Sequence, residues 1–320
     1  MAEPLYSLAG KRVFVTGHRG MVGSALLRRL EREPVAALLT APREAVDLTD
    51  QTRVGDWMAE HRPDCVFHAA GRVGGILANA SYPADFLYDN LMMACTVIHA
   101  AHAVGVEKLA YFGSSCIYPK FAEQPITEDA LLTGMLEPTN EAYAIAKIAG
   151  LKLCEAYRRQ HGADFIALMP TNLYGPGDNF DPDGSHVIPA LMRKAHEAKT
   201  SGHASMTIWG TGTPRREFLH VDDLADASVH LMQHYSDAAP INVGTGVDVT
   251  IADLAQTIMR AVGFEGGLET DPSKPDGTPR KQLDVGRLNA LGWDAARPLD
   301  RGLRETYAWF LDNAHALRGL

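Results

Sequence analysis

Five residues, Arg12-Val13-Phe14-Val15-Thr16, run directly into Gly17-His18-Arg19-Gly20-Met21-Val22-Gly23, and residues 24–30 then read as a helix. A strand that must become a helix through a turn with glycine at every third position leaves few folds open. Without Cβ atoms, glycines at GxxGxxG spacing permit a tight turn, close approach of backbone to a pyrophosphate, and close packing of helix on strand. The first turn of the helix adds N–H groups with no partner in the chain. Glycine-rich turns are common in α/β proteins, and this one could be structural only; its flanking strand and helix point instead to a dinucleotide site.

The same rhythm continues through the first half of the chain. Residues 35–39, 65–68, 109–112 and 165–169 are short apolar runs separated by longer amphipathic stretches, the pattern of a parallel sheet covered on both faces. The expected fold is α/β, a doubly wound parallel Rossmann sheet with a smaller, discontinuous C-terminal substrate domain. Residues 1–175 form the nucleotide-binding part. Beyond Gly175 the clusters Pro176-Gly177-Asp178 and Lys274-Pro275-Asp276-Gly277 break the rhythm, so residues 176–320 form mainly the second region. Ile241-Asn242-Val243-Gly244 reads as a further buried strand, which returns the chain to the sheet over about residues 217–247.

A formal charge of −9 repels nucleic acid and anionic lipid. An anionic nucleotide must therefore be held by a few local cations and by helix N-termini. Cys65, Cys95, Cys116 and Cys154 show no metal-ligand or disulfide spacing. No metal site is expected, and a reducing, cytoplasmic setting fits. No apolar run has the length of a membrane span, and none at the N-terminus has the character of a secretory signal.

The second strand ends at Leu39-Thr40-Ala41-Pro42-Arg43, with no carboxylate at its tip to bind a ribose 2′-hydroxyl. Arg19 and Arg43 are instead placed to pair with a 2′-phosphate, favouring NADP(H) over NAD(H). The alternative leaves Arg43 a solvated surface charge and gives the selection to Glu44.

Tyr143-Ala144-Ile145-Ala146-Lys147 puts a phenol and an ammonium on one helix face. A positive neighbour is expected to lower the phenol's pKa from about 10 toward neutrality. Upstream stands Gly113-Ser114-Ser115-Cys116-Ile117-Tyr118-Pro119, where Ser114 can hydrogen-bond a reacting carbonyl. If the backbone stays extended there, Ser114 and Cys116 project to one side, and the thiol, close to Lys147, becomes a candidate proton-abstracting base. Cys65, Cys95 and Cys154 read as small buried hydrophobes.

These segments resemble the extended short-chain dehydrogenase/reductases and, more narrowly, the GDP-L-fucose synthase family. The resemblance runs along nearly the whole chain, including Val73-Gly74-Gly75-Ile76, Glu137-Pro138-Thr139-Asn140-Glu141, Met169-Pro170-Thr171-Asn172-Leu173-Tyr174, Ser185-His186-Val187-Ile188-Pro189 and Arg216-Glu217-Phe218-Leu219-His220. Ala142 departs from the family, which often has proline before the tyrosine, and the connection near residues 234–240 is short.

The resemblance implies that a GDP-linked 4-keto-6-deoxy sugar is epimerised at C3 and C5 and then reduced at C4 by NADPH. Ser114, Tyr143 and Lys147 would form the reductase triad, with Cys116 the epimerisation base and His186 its acid, unless His186 is a core histidine. Phe112, Gly113, Ser114, Ser115, Pro170, Thr171, Asn172, Leu173 and His186 would line the cofactor. Lys194, Trp209, Arg216 and Asp276 would contact the nucleotide sugar; the alternative for Trp209 is a place in the core. Helices within residues 84–103 and 142–160 would pair across a two-fold axis in a homodimer. Two rivals stand beside this reading: a related epimerase or dehydratase that recycles a bound cofactor, and a dinucleotide-sensing protein without chemistry.

Overall fold

The computed structural model describes residues 3–181, 184–274 and 276–316. β1 (Arg12–Thr16) leads into α1 (Met21–Leu30), β2 (Ala37–Leu39) into α2 (Gln51–His61), and β3 (Cys65–His68) into α3 (Ile76–Ser81) and α4 (Pro83–Ala103). β4 (Lys108–Phe112) is followed by α5 (Glu141–His161), β5 (Asp164–Pro170) and β6 (Asn172–Tyr174). Then come α6 (Val187–Thr200), β7 (Ser205–Trp209), β8 (Arg215–His220), α7 (Val221–His234), β9 (Ile241–Val243), β10 (Asp248–Thr250) and α8 (Ile251–Val262). β11 (Gly267–Asp271), β12 (Arg280–Lys281), α9 (Gly286–Ala290) and α10 (Leu299–Asn313) complete the order.

The large sheet runs β2-β1-β3-β4-β5-β9, parallel throughout. Its order reverses between β1 and β3, and such a reversal opens a crevice at the strand C-termini. Every residue of β3 and β4 is buried, which is why these strands read as continuous apolar runs. Side chains still alternate between faces. Val13, Val15, Phe67 and Ile166 pack with Leu26 of α1 and Leu224 of α7, whereas Phe14, Val66, Leu109 and Phe165 pack with Met58 of α2, Val97 of α4 and Leu151 of α5.

β4 begins one residue earlier than its apolar run, at Lys108. That side chain is fully buried, with its ammonium 3.1 Å from Asp164 and donating to the Tyr235 carbonyl at 2.6 Å. Its charge hides it from a hydrophobicity pattern, yet the ion pair and hydrogen bond satisfy it.

β8 lies at the centre of a second assembly, antiparallel to β10 and parallel to β6 and β12, while β7 and β11 form a separate parallel ribbon. Ile188 and Met192 of α6, Leu254 and Ile258 of α8, and Leu303 and Phe310 of α10 enclose its core. The chain then returns to the large sheet at β9, beside β5. α7 packs on α1, where Asp226 meets Arg29 at 2.6 Å. No helix among the described residues is long and apolar enough to cross a membrane.

Candidate active site

Gly17 adopts φ +67°, and a Cβ there would lie 2.8 Å from the Ala70 Cα. A Cβ on Gly23 would lie 2.1 Å from the Gly17 carbonyl oxygen, a backbone contact that cannot give way. The turn is thus closed to any side chain at both positions. α2 is capped by the Asp50 carboxylate, which accepts from Thr52 and Arg53 N–H, but α1 starts at Gly20 with no side-chain cap. Its first N–H groups are left for a ligand, and the cradle suits a dinucleotide's pyrophosphate. His18 and the residues Met21 and Val22 of that first turn are part-buried.

At the edge beside β2, Arg43 is 80% exposed and lies 3.6 Å from Asp47. Arg19 pairs with Glu44 at 3.3 Å, so the carboxylate considered as a rival selector is engaged by one of the two arginines. Both pairs are at the surface, where such contacts are weak and yield readily to a doubly charged phosphate.

Tyr143 and Lys147 share one face of α5. The Lys147 ammonium donates to the Phe112 carbonyl at 2.8 Å and sits 5.9 Å from the Tyr143 ring centre. Burial pushes Lys147 down to about 8. The phenol is not lowered as expected: burial, then the neighbouring Cys116 sulfur, holds Tyr143 above its ordinary value, with the Ser114 hydroxyl pulling the other way. It is therefore protonated at neutral pH, as a proton donor must be.

Past Ser114 the backbone does not stay extended. Residues Ser115–Ile117 form one turn of 3-10 helix, capped by the Ser114 hydroxyl, which accepts from the Cys116 N–H at 3.2 Å. Serine favours such a turn because its side chain can satisfy the free N–H. The thiol comes back beside Ser114 by this route instead.

Its cationic neighbour is Lys281, with Nζ 3.4 Å from the Cys116 Sγ, in place of the expected Lys147. Burial raises the thiol's pKa, but Lys281, the Ser114 hydroxyl and Arg216 together outweigh it, and the net shift is downward. The other cysteines differ. Cys65 and Cys154 are buried, and burial pushes the Cys65 thiol up to about 12; Cys95 is only part-buried, against expectation.

His186 occupies the N-cap position of α6, exposed rather than in the core, without capping the helix through its side chain. Protein packed around its ring, then the Lys281 charge, lowers its pKa. Thr171, between β5 and β6, and Asn172, the first residue of β6, both donate to the Glu217 carbonyl, at 3.3 and 2.8 Å. Leu173 continues in β6 beside β8, and Phe112 ends β4, with Gly113 and Ser115 just beyond it, next to the paired strand β5 that ends at Pro170.

Trp209 is 65% exposed, which removes it from the core. Two ammonium groups lie over its ring, Lys194 at 5.3 Å and Lys274 at 5.7 Å. Asp276 accepts from the Thr211 N–H at 2.9 Å and hydroxyl at 2.7 Å. Arg216 donates to the Arg215 and Thr278 carbonyls and is lowered by burial. Pro275 lies outside the described residues. Among those residues, no three His, Cys, Asp or Glu side chains gather as a metal site.

The model of the NAD dependent epimerase/dehydratase family matches residues 13–244. A GDP-L-fucose synthase of Escherichia coli (strain K12) is 54% identical over 321 residues, covering 98% of this chain and 100% of its own length. The chain belongs to the GDP-L-fucose synthase family. Within that family, GDP-L-fucose synthase 1 of Arabidopsis thaliana is 55% identical over 302 residues, 94% of each chain. The crystal structure of a GDP-L-fucose synthetase from Naegleria fowleri bound to NADP superposes with a TM-score of 0.90 at 29% identity, covering 99% of both chains.

Sequence reasoning missed Lys281, Lys274 and the buried Glu217. Lys274 belongs to the Lys274-Pro275-Asp276-Gly277 cluster, and only its seat over Trp209 marks it out. Lys281 has no spacing relation to Cys116 that a linear pattern registers.

Proposed function

We propose that this chain converts GDP-4-keto-6-deoxy-D-mannose to GDP-L-fucose, by epimerisation at C3 and C5 followed by reduction at C4 with NADPH. The observation that carries the reading is a thiol placed against a cation, a serine hydroxyl and a protonated phenol in one site.

The C4 ketone acidifies the hydrogens on C3 and C5, because each carbanion delocalises into an enolate. Ser114 and Tyr143 hydrogen-bond the C4 oxygen and stabilise its growing charge. The Cys116 thiolate takes a proton from one face, and His186 returns one to the other. The lowered pKa of His186 makes its imidazolium a stronger, if scarcer, acid. The hydride for C4 comes from NADPH, for which the glycine cradle, Lys147 and the ends of β4 and β5 form the seat, with Arg19 and Arg43 toward the 2′-phosphate. Tyr143 then gives its proton to the C4 oxygen. Lys194 and Arg216 serve the diphosphate, Trp209 offers its exposed face, and Asp276 accepts hydrogen bonds.

Tyr88 of α4 and Ile145 of α5 are exposed on helices that pack together. A second copy of the chain would cover them in a homodimer, to be checked by light scattering. Free cysteines suit a reducing compartment.

The test is incubation with GDP-4-keto-6-deoxy-D-mannose and NADPH, with identification of the sugar formed. GDP-L-fucose and one NADPH consumed per turnover are expected; turnover without net NADPH consumption would move the chain to a cofactor-recycling epimerase, and no turnover at all to a dinucleotide sensor.

A further inference from the structure

We propose that Lys281 is a further catalytic residue, the fixed cation that holds Cys116 as its thiolate, and that buried Glu217 is the positioning residue for the segment that carries it. The proposal rests on Cys116 being the epimerisation base.

The ammonium of Lys281 lies 3.4 Å from the sulfur. Among the described residues no carboxylate pairs with it, so its charge is spent on the thiol. The groups facing Cys116 are Ser114 on its own segment, Tyr143 from α5, and Lys281 and Arg216 from the second assembly, with Lys281 the strongest of the cations. His186 also lies in the field of Lys281. A thiolate beside an ammonium in a part-dry site is stabilised far more than either would be in water. In the reaction the thiolate forms an S–H bond as the C–H bond at C3 or C5 breaks, and the electron pair passes into the enolate. Lys281 keeps its proton throughout.

A lysine on a free loop would not stay so placed. Main-chain pairing sets Lys281 of β12 opposite Arg216 of β8. Two residues on, the Leu283 N–H donates to the Glu217 carboxylate at 2.7 Å. The same carboxylate accepts from the Thr245 and Gly246 N–H groups at 2.6 and 2.8 Å. Glu217 is fully buried, and a Cβ on Gly244 would lie 2.1 Å from its Oε1. The segment is fastened again where the Gln282 N–H donates to the Gln124 side chain at 2.9 Å. Glu217 touches no reacting atom; it fixes the distance from Nζ to sulfur.

The test is the pH profile of iodoacetamide alkylation at Cys116 in the full-length protein, followed by mass spectrometry of that peptide. Lys281→Gln is expected to move the midpoint upward by about one pH unit and slow alkylation at pH 7 about tenfold. Lys281→Arg should restore the wild-type midpoint, which a loss of packing alone would not allow. Glu217→Gln should shift the midpoint in the same direction by less, with NADPH affinity unchanged. Lys281 is part-exposed, so its variants carry the decision even if Glu217→Gln fails to fold. An unmoved midpoint in Lys281→Gln overturns the role of the lysine. Wild-type enzyme that exchanges no solvent deuterium into GDP-4-keto-6-deoxy-D-mannose overturns the epimerase reading beneath it, and the two failures are read from separate measurements.

Discussion

Gly17 and Gly23 meet across one turn of chain, whereas Cys116 and Lys281 come together from positions 165 residues apart. The first contact is made of backbone and tolerates no side chain. The second is made of two side-chain tips, each carried by a different assembly of strands. A cradle of the first kind is set by local chain geometry and recognises what all dinucleotides share, a pyrophosphate. A pocket of the second kind is set by how the β8 assembly docks on the large sheet, and on the proposed function it would decide which reaction follows. On the proposed function, cofactor binding and proton chemistry rest on separate supports that meet near the ends of β4 and β5.

If the supports are separate, damage to one should spare the other. The largest effect is expected from Cys116→Ser, which should cut solvent-deuterium incorporation at C3 and C5 by about 10⁴-fold while NADPH affinity, measured by calorimetry, stays near normal. Comparable loss of cofactor binding would break the separation. Tyr143→Phe comes next, slowing ketone reduction by about 10³-fold in single-turnover assays on pre-epimerised sugar. Reduction at the normal rate would remove the phenol from the proton-donor role.

Gly23→Ala attacks the other side. It should weaken NADPH binding about 100-fold, since the new methyl group meets backbone, yet leave the alkylation profile of Cys116 unchanged. A profile that moves with it would show the two regions to be coupled.

Asp178 sharpens the boundary between them. Its neighbour Gly177 packs against the start of α1, a Cβ there lying 3.4 Å from the Met21 Cα. One Asp178 carboxylate oxygen is buried with no partner among the described residues, and burial pushes the group up to about 7, opposed by the Asn179 N–H. Because the folded protein binds this proton more tightly than the unfolded chain, stability should fall as pH rises from the ordinary carboxylate range to about 7. Asp178→Asn should then gain about 2 kcal/mol in urea unfolding at pH 8 and nothing at pH 4. An equal change at both pH values would exclude the ionisation as its cause. The smallest effect belongs to Arg43→Ala, expected to weaken NADPH about tenfold with NADH unaffected, less so at high salt.

Much of the large sheet was legible because its central strands are buried on both faces and so read as unbroken apolar runs; β1 and β3 match their sequence runs end to end, whereas β2, half-buried at the sheet edge, spans only Ala37–Leu39 of the expected residues 35–39. Lys108 shows where that rule stops, because a buried ion pair looks polar in a linear reading. The glycine cradle and the Tyr143–Lys147 pair were legible through local spacing. The turn at Ser115–Ile117 was not, since an extended strand end and a serine-capped turn place Cys116 on the same side of the chain for different reasons. Trp209 illustrates the same limit, as an indole reads alike in the core and, as here, under two lysines at the surface.

By itself the sequence determined the strand, turn and helix that cradle a dinucleotide and the helix face shared by Tyr143 and Lys147, because both follow from the fixed periods of backbone structure. Only the tertiary structure decided that Lys281, rather than Lys147, faces the thiol, and that the buried Glu217 carboxylate meets the Leu283 N–H two residues on. Coulombic attraction depends on distance through space, and no count of residues along the chain carries that distance.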